Sequence, residues 1–115
     1  MAIARHGTGS GAAAAALASQ VHPVFMLPPL AASVFGAVLA GRFVPVPLGL
    51  HAAATFFAVY TAHVKDGYVD FYRRGEDDDH PLTEAGCRWA LGGATFCFAV
   101  VTAALAFVAG PVTAL

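Results

Sequence analysis

Charged side chains are confined almost entirely to one short segment of this 115-residue chain. Eleven of the 13 charged residues lie between Lys65 and Arg88, and the other two are Arg5 and Arg42. The uncharged stretches that remain are 6–41, 43–64 and 89–115. A helix needs about 20 apolar residues to cross a hydrocarbon core of ~30 Å. Each stretch is therefore long enough to contain a transmembrane helix.

The overall composition agrees with a membrane protein and excludes several other classes. Hydrophobic residues make up 58% of the chain and charged residues 11%, against about 25% charged in soluble domains. Such a chain is neither a disordered segment nor an ordinary water-soluble domain. The net charge of −1 provides no basic surface for nucleic acid. Cys87 and Cys97 form no Cys-x-x-Cys pair and have no histidine at ligand spacing, which argues against a disulfide scaffold or a zinc site.

These features predict an all-α integral membrane protein with about three transmembrane helices. The expected segments are a flexible N-terminal tail at 1–20 and a transmembrane segment at 21–115, with helices near 23–40, 47–72 and 87–109 and a polar cytoplasmic loop at 73–86. Prolines fall near the expected helix starts, where a lost backbone donor is least costly. The alanine run after Gly11 and the single basic Arg5 fit a signal peptide poorly, which favours the tail.

The basic residues predict how the helices are oriented in the membrane. If the N-terminus is cytoplasmic, Arg42 is the one basic residue outside. The five basic residues inside are then Arg5, Lys65, Arg73, Arg74 and Arg88. Lys and Arg favour the cytoplasmic side, and acidic residues contribute little to topology. We therefore expect a multi-pass protein of the cell membrane with a cytoplasmic N-terminus.

The residues that indicate chemistry follow the second uncharged stretch. Asp66 and Asp70 are four residues apart, so a helix that continues past the membrane surface brings both to one face, with His63 on the same side. Magnesium prefers oxygen ligands and is commonly held by one or two carboxylates while substrate phosphates fill other positions. Asp66 and Asp70 are therefore predicted to bind Mg²⁺. His63, Arg73 and Arg74 are predicted to contact a phosphate-bearing substrate.

Other polar residues have simpler interpretations. The acidic run Glu76–Asp79 is expected to be a hydrated loop. His22 and His51 are expected to be packed or interfacial histidines, although polar residues within a span are functional candidates by default. Trp89 is expected to anchor the third helix at the membrane interface.

The segment 62–83 resembles the N-terminal part of the UbiA-type membrane prenyltransferases. That family carries a first aspartate-rich motif, Asn-Asp-x-x-Asp-x-x-x-Asp, at the end of its second helix. Asp66 and Asp70 match the later two aspartates of this motif. Ala62 and His63 stand where the asparagine and the first aspartate would be.

A loop follows the motif in this family and commonly contains Asp-Arg-Pro-Leu or Asp-Arg-Pro-Ile. Asp79, Pro81 and Leu82 match that loop, and His80 replaces the arginine, in a version similar to archaeal, salt-adapted members. The resemblance extends over nearly all of residues 20–110. It corresponds to roughly the first third of the family's fold, a larger helical bundle around a central cavity with a second aspartate-rich motif on a later helix.

The resemblance implies a magnesium-dependent transfer of an isoprenyl group from an isoprenyl diphosphate to a lipophilic acceptor. In that family, metal ions bridge the aspartates and the diphosphate, ionisation gives an allylic cation, and the acceptor attacks it. The partners implied are the two substrates, membrane lipids and a C-terminal companion segment or a second copy, without nucleic acid. The alternative is a small non-catalytic membrane protein, either a truncated remnant or a subunit that requires a partner.

Overall fold

A computed structural model describes residues 2–110, which contain four α-helices. The helices are α1 (Gly9–Ala18), α2 (Pro23–Leu39), α3 (Pro45–Tyr68) and α4 (Glu84–Ala109), and a π-helical turn (Val69–Arg73) continues α3. No strand forms within 2–110, although Ala4 and Leu82 form an isolated antiparallel β-bridge. The predicted all-α class is confirmed.

Local sequence explains where the helices begin. Pro23 and Pro45 occupy the first positions of α2 and α3, where the missing N–H is not needed and the fixed φ suits a helix. Thr83 precedes α4, and its hydroxyl oxygen accepts a hydrogen bond of 2.8 Å from the Gly86 N–H. This cap satisfies one of the amide groups that a helix start leaves without a partner.

Helix α3 lies at the centre, packed against α2 on one side and α4 on the other. The rings of His22, just before α2, and His63, near the end of α3, lie 4.3 Å apart between centroids. Tyr68 at the end of α3 donates a hydrogen bond to Glu84 at the start of α4. Neighbouring helices are therefore antiparallel, and the start of α2, the end of α3 and the start of α4 meet. We call this the charged end of the bundle.

The buried core is small and lies at the charged end. Val64, Leu82 and Cys87 are fully buried, and alanines form much of the remaining interior. Large apolar side chains instead face outward. They include Phe25, Leu27, Phe35, Leu39, Phe43, Phe96 and Phe107. Contiguous exposed apolar surface of this kind is rare on a soluble monomer and is typical of contact with lipid or with a partner.

The lengths of the helices can be compared with the thickness of a membrane. Within 2–110, α4 alone is long and apolar enough to cross a membrane as a single helix. Helices α1 and α2 meet the same criterion only together, as a pair bent by 63°. Helix α2 has 17 residues, about 25 Å at 1.5 Å per residue, and α3 carries polar residues towards its end. The expectation of three transmembrane passes is thus not established by these dimensions.

The N-terminal segment differs from the flexible tail that the sequence suggests. Residues 2–6, which we call the N-terminal strap, pair with the loop before α4. The Thr83 N–H donates to the Ile3 carbonyl and the Arg5 N–H to the Pro81 carbonyl, both at 2.9 Å. Further along, α1 packs on α3, where the Tyr60 hydroxyl donates to the Leu17 carbonyl at 2.8 Å. The segment thus contacts residues far away in sequence, which its own composition does not reveal.

Candidate functional site

The predicted site residues all lie at the charged end, on or just after the last turns of α3. The helical backbone continues from Asp66 through Asp70, because the amide of Val69 still bonds to the carbonyls of Lys65 and Asp66. The two aspartates therefore lie one turn apart on the same side of the helix. The π-helical turn widens the helix at this point, a feature that is frequent at functional sites.

The two carboxylates have different surroundings. Asp66 is exposed, and within residues 2–110 its carboxylate forms no hydrogen bond or ion pair. Asp70 is partly exposed and lies 3.9 Å from the Arg74 guanidinium, a long ion pair at i,i+4 spacing. Exposed pairs of this kind contribute little, about 0.3–0.5 kcal/mol. Both carboxylates are therefore accessible to an external cation, and Arg74 is a weak competitor for Asp70.

The two predicted arginine contacts are accessible as well. Arg73 and Arg74 are both exposed. The Arg73 guanidinium carbon lies 5.5 Å from the centroid of the Tyr68 ring, within the range of a cation–π contact. Neither arginine is tied to a buried carboxylate. Both side chains therefore have hydrogen-bond donors that a phosphate group could accept.

His63 is part of a group of rings rather than a separate polar residue. Its imidazole packs against His22 and lies 6.0 Å from Phe25 between ring centroids. His63 also interacts electrostatically with Asp66, three residues later, and with His80. The sequence predicts His63 as a substrate contact but gives His22 a packing role. The structure brings the two histidines together, next to the aspartate pair.

Sequence reasoning notes His80 only as a replacement for the family's arginine and gives it no role, whereas the structure buries it against α3. Only 4% of its surface is exposed, and its Nδ1 accepts the Leu82 N–H at 3.1 Å. The ring fits against α3 because residue 67 is glycine, since an added Cβ there would lie 2.9 Å from His80 Nε2. Gln20, also buried, approaches the same point. The glycine at position 67 was the one sequence signal of this close packing. Its partner, His80, lies in a loop, and sequence spacing does not predict where a loop residue packs.

Asp79 has contacts that the sequence does not predict. All four residues Glu76–Asp79 are exposed, as expected for a hydrated loop. Asp79 in addition binds the N-terminal strap, through Arg5 Nη1 at 2.6 Å and His6 Nε2 at 2.9 Å. The hydrogen bond from His6, with a further one from the His80 N–H, lowers the pKa of Asp79.

The strap also contacts the π-helical turn. The Arg5 guanidinium lies 4.6 Å from the centroid of Phe71, the residue next to Asp70. In the same turn, the Tyr72 hydroxyl donates to the Leu82 carbonyl at 2.6 Å. The backbone that carries Asp70 is thus supported from two sides.

The carboxylates at the charged end could supply only part of the ligands of a magnesium ion, and water or substrate would have to supply the rest. Among residues 2–110, no three His, Cys, Asp or Glu side chains are arranged to hold a metal by themselves. Two accessible carboxylates one turn apart are nevertheless what Mg²⁺ commonly uses when water and substrate phosphate complete its coordination. The residues present therefore suit a metal that arrives with a diphosphate.

Comparison of the chain with protein-family models, with curated proteins and with solved structures finds no match. The resemblance to UbiA-type prenyltransferases accordingly rests on the motif residues themselves. Of these, Asp66 and Asp70 have the geometry described above, whereas His63 and His80 have contacts with other residues of this chain.

Proposed function

We propose that this chain acts as the N-terminal part of a UbiA-like membrane prenyltransferase, a transferase of alkyl groups other than methyl. The observation that carries the proposal is the pair Asp66 and Asp70, accessible on one side of a helix end at the polar end of an apolar bundle. The substrates proposed are an isoprenyl diphosphate and a lipophilic acceptor, and the cofactor is Mg²⁺.

The membrane location is part of this proposal. The outward-facing apolar side chains on α2 and α4 support it, as does the length of α4. We propose three passes by α2, α3 and α4, with the N-terminus and the charged end in the cytoplasm. The distribution of basic residues supports this orientation, because Arg42 alone lies at the opposite end.

The residues at the charged end have distinct roles in this proposal. Asp66 and Asp70 would hold the metal, which when bound would supply Lewis-acid neutralisation of charge on a diphosphate leaving group. Arg73 and Arg74 donate hydrogen bonds to diphosphate oxygens, in charge-assisted contacts stronger than neutral ones. His63, which packs on His22 and Phe25, is proposed to contact the substrate. The apolar helix surfaces hold that chain and keep water from the reacting carbon.

The experiment is a binding titration of the purified full chain in detergent. Farnesyl diphosphate and geranylgeranyl diphosphate serve as probes, each with Mg²⁺ and with a chelator. The test variant combines Asp66→Asn and Asp70→Asn. The matched control combines Asp77→Asn and Asp78→Asn, which changes the charge equally in the exposed loop of the same end.

We expect the wild-type chain and the control to bind at least about tenfold tighter with Mg²⁺, equivalent to about 1.4 kcal/mol. The test variant is expected to lose this difference. Equal binding with chelator and with Mg²⁺, or an unchanged response in the test variant, contradicts the metal assignment.

One observation favours the alternative of a non-catalytic membrane subunit. His63 stands in place of the family's first aspartate and packs on His22, so one carboxylate fewer is available to a metal than in that family. If the wild-type chain binds neither diphosphate, with or without Mg²⁺, the subunit interpretation replaces the enzyme.

A further inference from the structure

The end of the bundle opposite the charged end carries one cation, Arg42, in the turn between α2 and α3. Its backbone position is set by the way α2 ends. Gly41 has φ +66°, a conformation that glycine adopts without strain. The amide of Gly41 bonds to the Val38 carbonyl, and that of Arg42 to the Ala37 carbonyl at 3.2 Å. This Schellman arrangement fixes Arg42 beside the last turn of α2.

Arg42 has no carboxylate partner in the part of the chain that the structure describes. All seven acidic residues of the sequence lie between Asp66 and Glu84, beyond the far end of α3. Since α3 has 24 residues, about 36 Å separates its two ends. A guanidinium remains charged at any ordinary pH and has five N–H donors. Arg42 is also exposed, so an anion from outside residues 2–110 can reach its guanidinium.

A groove of about 580 Å³ begins at Arg42 and runs between the helices. Its walls are mainly apolar and include Ala37 of α2, Leu48 of α3 and Leu105 of α4. His51 is the one other ionisable residue in its lining. A groove with a cation at one end and apolar walls matches a molecule that has an anionic head and a hydrocarbon chain.

The His51 ring has a fixed orientation and a free ring nitrogen. Its Nδ1 is 2.8 Å from the Ser33 hydroxyl of α2, a buried residue. Within residues 2–110, the Nε2 atom has no hydrogen-bond partner. His51 is exposed on α3, so a ligand in the groove can reach this nitrogen. Arg42 in the turn and His51 on α3 line the same groove, so both are available to one ligand head.

We propose that this groove binds an anionic phospholipid, with its phosphate on Arg42 and His51 and one acyl chain along the apolar walls. The proposal goes beyond prenyl transfer, because none of its residues belongs to the charged end. It depends only on the chain lying in a membrane, where phosphate-bearing headgroups form the boundary of each leaflet.

The test is a lipid competition measured by native mass spectrometry of the full chain released from detergent. The probes are phosphatidylglycerol and phosphatidylcholine with identical acyl chains at equal concentration. The test variant is Arg42→Gln. The matched control is Arg88→Gln, the same change at the charged end, where Arg88 pairs with Glu84 at 3.1 Å.

We expect wild-type chain and control to prefer phosphatidylglycerol about tenfold, the size of one hydrogen bond to a charged group. Arg42→Gln is expected to bring the ratio to about one. Arg42→Lys, which keeps the charge but not the planar donor pair, is expected to retain part of the preference. This variant also separates loss of charge from loss of folding.

Three results would overturn the proposal. The first is an unchanged ratio in Arg42→Gln, and the second is an equal loss in Arg88→Gln. The third is displacement of phosphatidylglycerol by inorganic phosphate, because the site would then take a free anion rather than a lipid. None of these outcomes depends on isoprenyl diphosphate binding, so this proposal and the prenyltransferase proposal can fail separately.

Discussion

The N-terminal strap can lie on α4 only because residue 86 has no side chain. A Cβ atom added to Gly86 would overlap the Ile3 carbonyl oxygen and lie 3.1 Å from the Ile3 carbonyl carbon and from Thr83 Oγ1. The atoms it meets first belong to the backbone, which cannot rotate away as a flexible side chain does. The substitution Gly86→Ala must therefore displace the strap from the start of α4.

The size of the effect follows from what the strap contributes. Its two backbone hydrogen bonds, from Thr83 to Ile3 and from Arg5 to Pro81, contribute about 0.5–1.5 kcal/mol each. Burial of the Ala4 methyl group adds about 0.8 kcal/mol. Loss of these backbone bonds and of the Ala4 burial thus costs about 2–4 kcal/mol. The better helix propensity of alanine offsets about 0.5–1 kcal/mol, which leaves a net loss of about 1–3 kcal/mol.

Amide hydrogen exchange of the chain in detergent micelles measures this loss at the strap itself. We expect the protection of the Arg5 and Thr83 amides to fall by about tenfold to a hundredfold in Gly86→Ala, since 1.4 kcal/mol is tenfold. Gly92→Ala is the control, because a Cβ at that position on the same helix meets no atom within 4 Å. Equal protection in the two variants would refute the inference that the strap depends on close approach to Gly86.

Three further predictions concern the charged end. The added methyl group in Gly67→Ala pushes against the His80 ring. Thermal denaturation should show a free energy of unfolding lower by about 1–3 kcal/mol, partly offset by the better helix propensity of alanine. A more stable variant would contradict the packing described. Tyr72→Phe removes the hydrogen bond to Leu82 and should cost about 0.5–1.5 kcal/mol in the same assay, whereas no change would mean that water replaces it. Because the pKa of Asp79 is lowered, its contacts should stabilise the strap at pH values above the ordinary carboxyl pKa, and this stabilisation should be lost as the pH falls through the lowered pKa. The measurement is a carboxyl titration by NMR, and a midpoint at or above about pH 3.9 would contradict the prediction.

The helix positions were accessible from sequence because they depend on local features. Uncharged runs set the lengths, and prolines mark the starts, so α2 begins at Pro23 as expected and α3 begins at Pro45, two residues before the expected 47. The continuation of α3 past Val64 also follows from the sequence, since no helix breaker occurs before Gly75 apart from Gly67. These inferences need no knowledge of which helices touch.

The contacts of the site were not accessible in the same way. The strap lies on residues 79–83 through backbone bonds and the Arg5–Asp79 ion pair, and these residues are far apart in the chain. His80 is buried because Gly67 leaves room for it, and His63 contacts His22 across two helices. Each contact depends on how helices pack, which periodicity and composition do not specify. The aspartate pair was predictable because both residues belong to one helix.

The placement of Asp66 and Asp70 is unfavourable for the stability of α3. Both lie at the C-terminal end of a helix, where the macrodipole is negative and carboxylates are disfavoured by about 0.3–1 kcal/mol each. They also repel each other at i,i+4 spacing by a few tenths of a kcal/mol. Glu84, in the first turn of α4, has the favourable placement instead.

A functional role for the pair therefore predicts opposite effects on stability and on binding. Asp66→Asn should leave the chain as stable as the wild type or raise its free energy of unfolding by up to about 1 kcal/mol, measured by thermal denaturation without Mg²⁺. The same variant should weaken the magnesium-dependent binding of farnesyl diphosphate. Glu84→Gln is the control and should destabilise the chain without altering that binding, because Glu84 supports a helix start and the Tyr68 and Arg88 side chains. If Asp66→Asn instead destabilises the chain as Glu84→Gln does, the carboxylate has a structural role, and the case for a metal ligand at this position is lost.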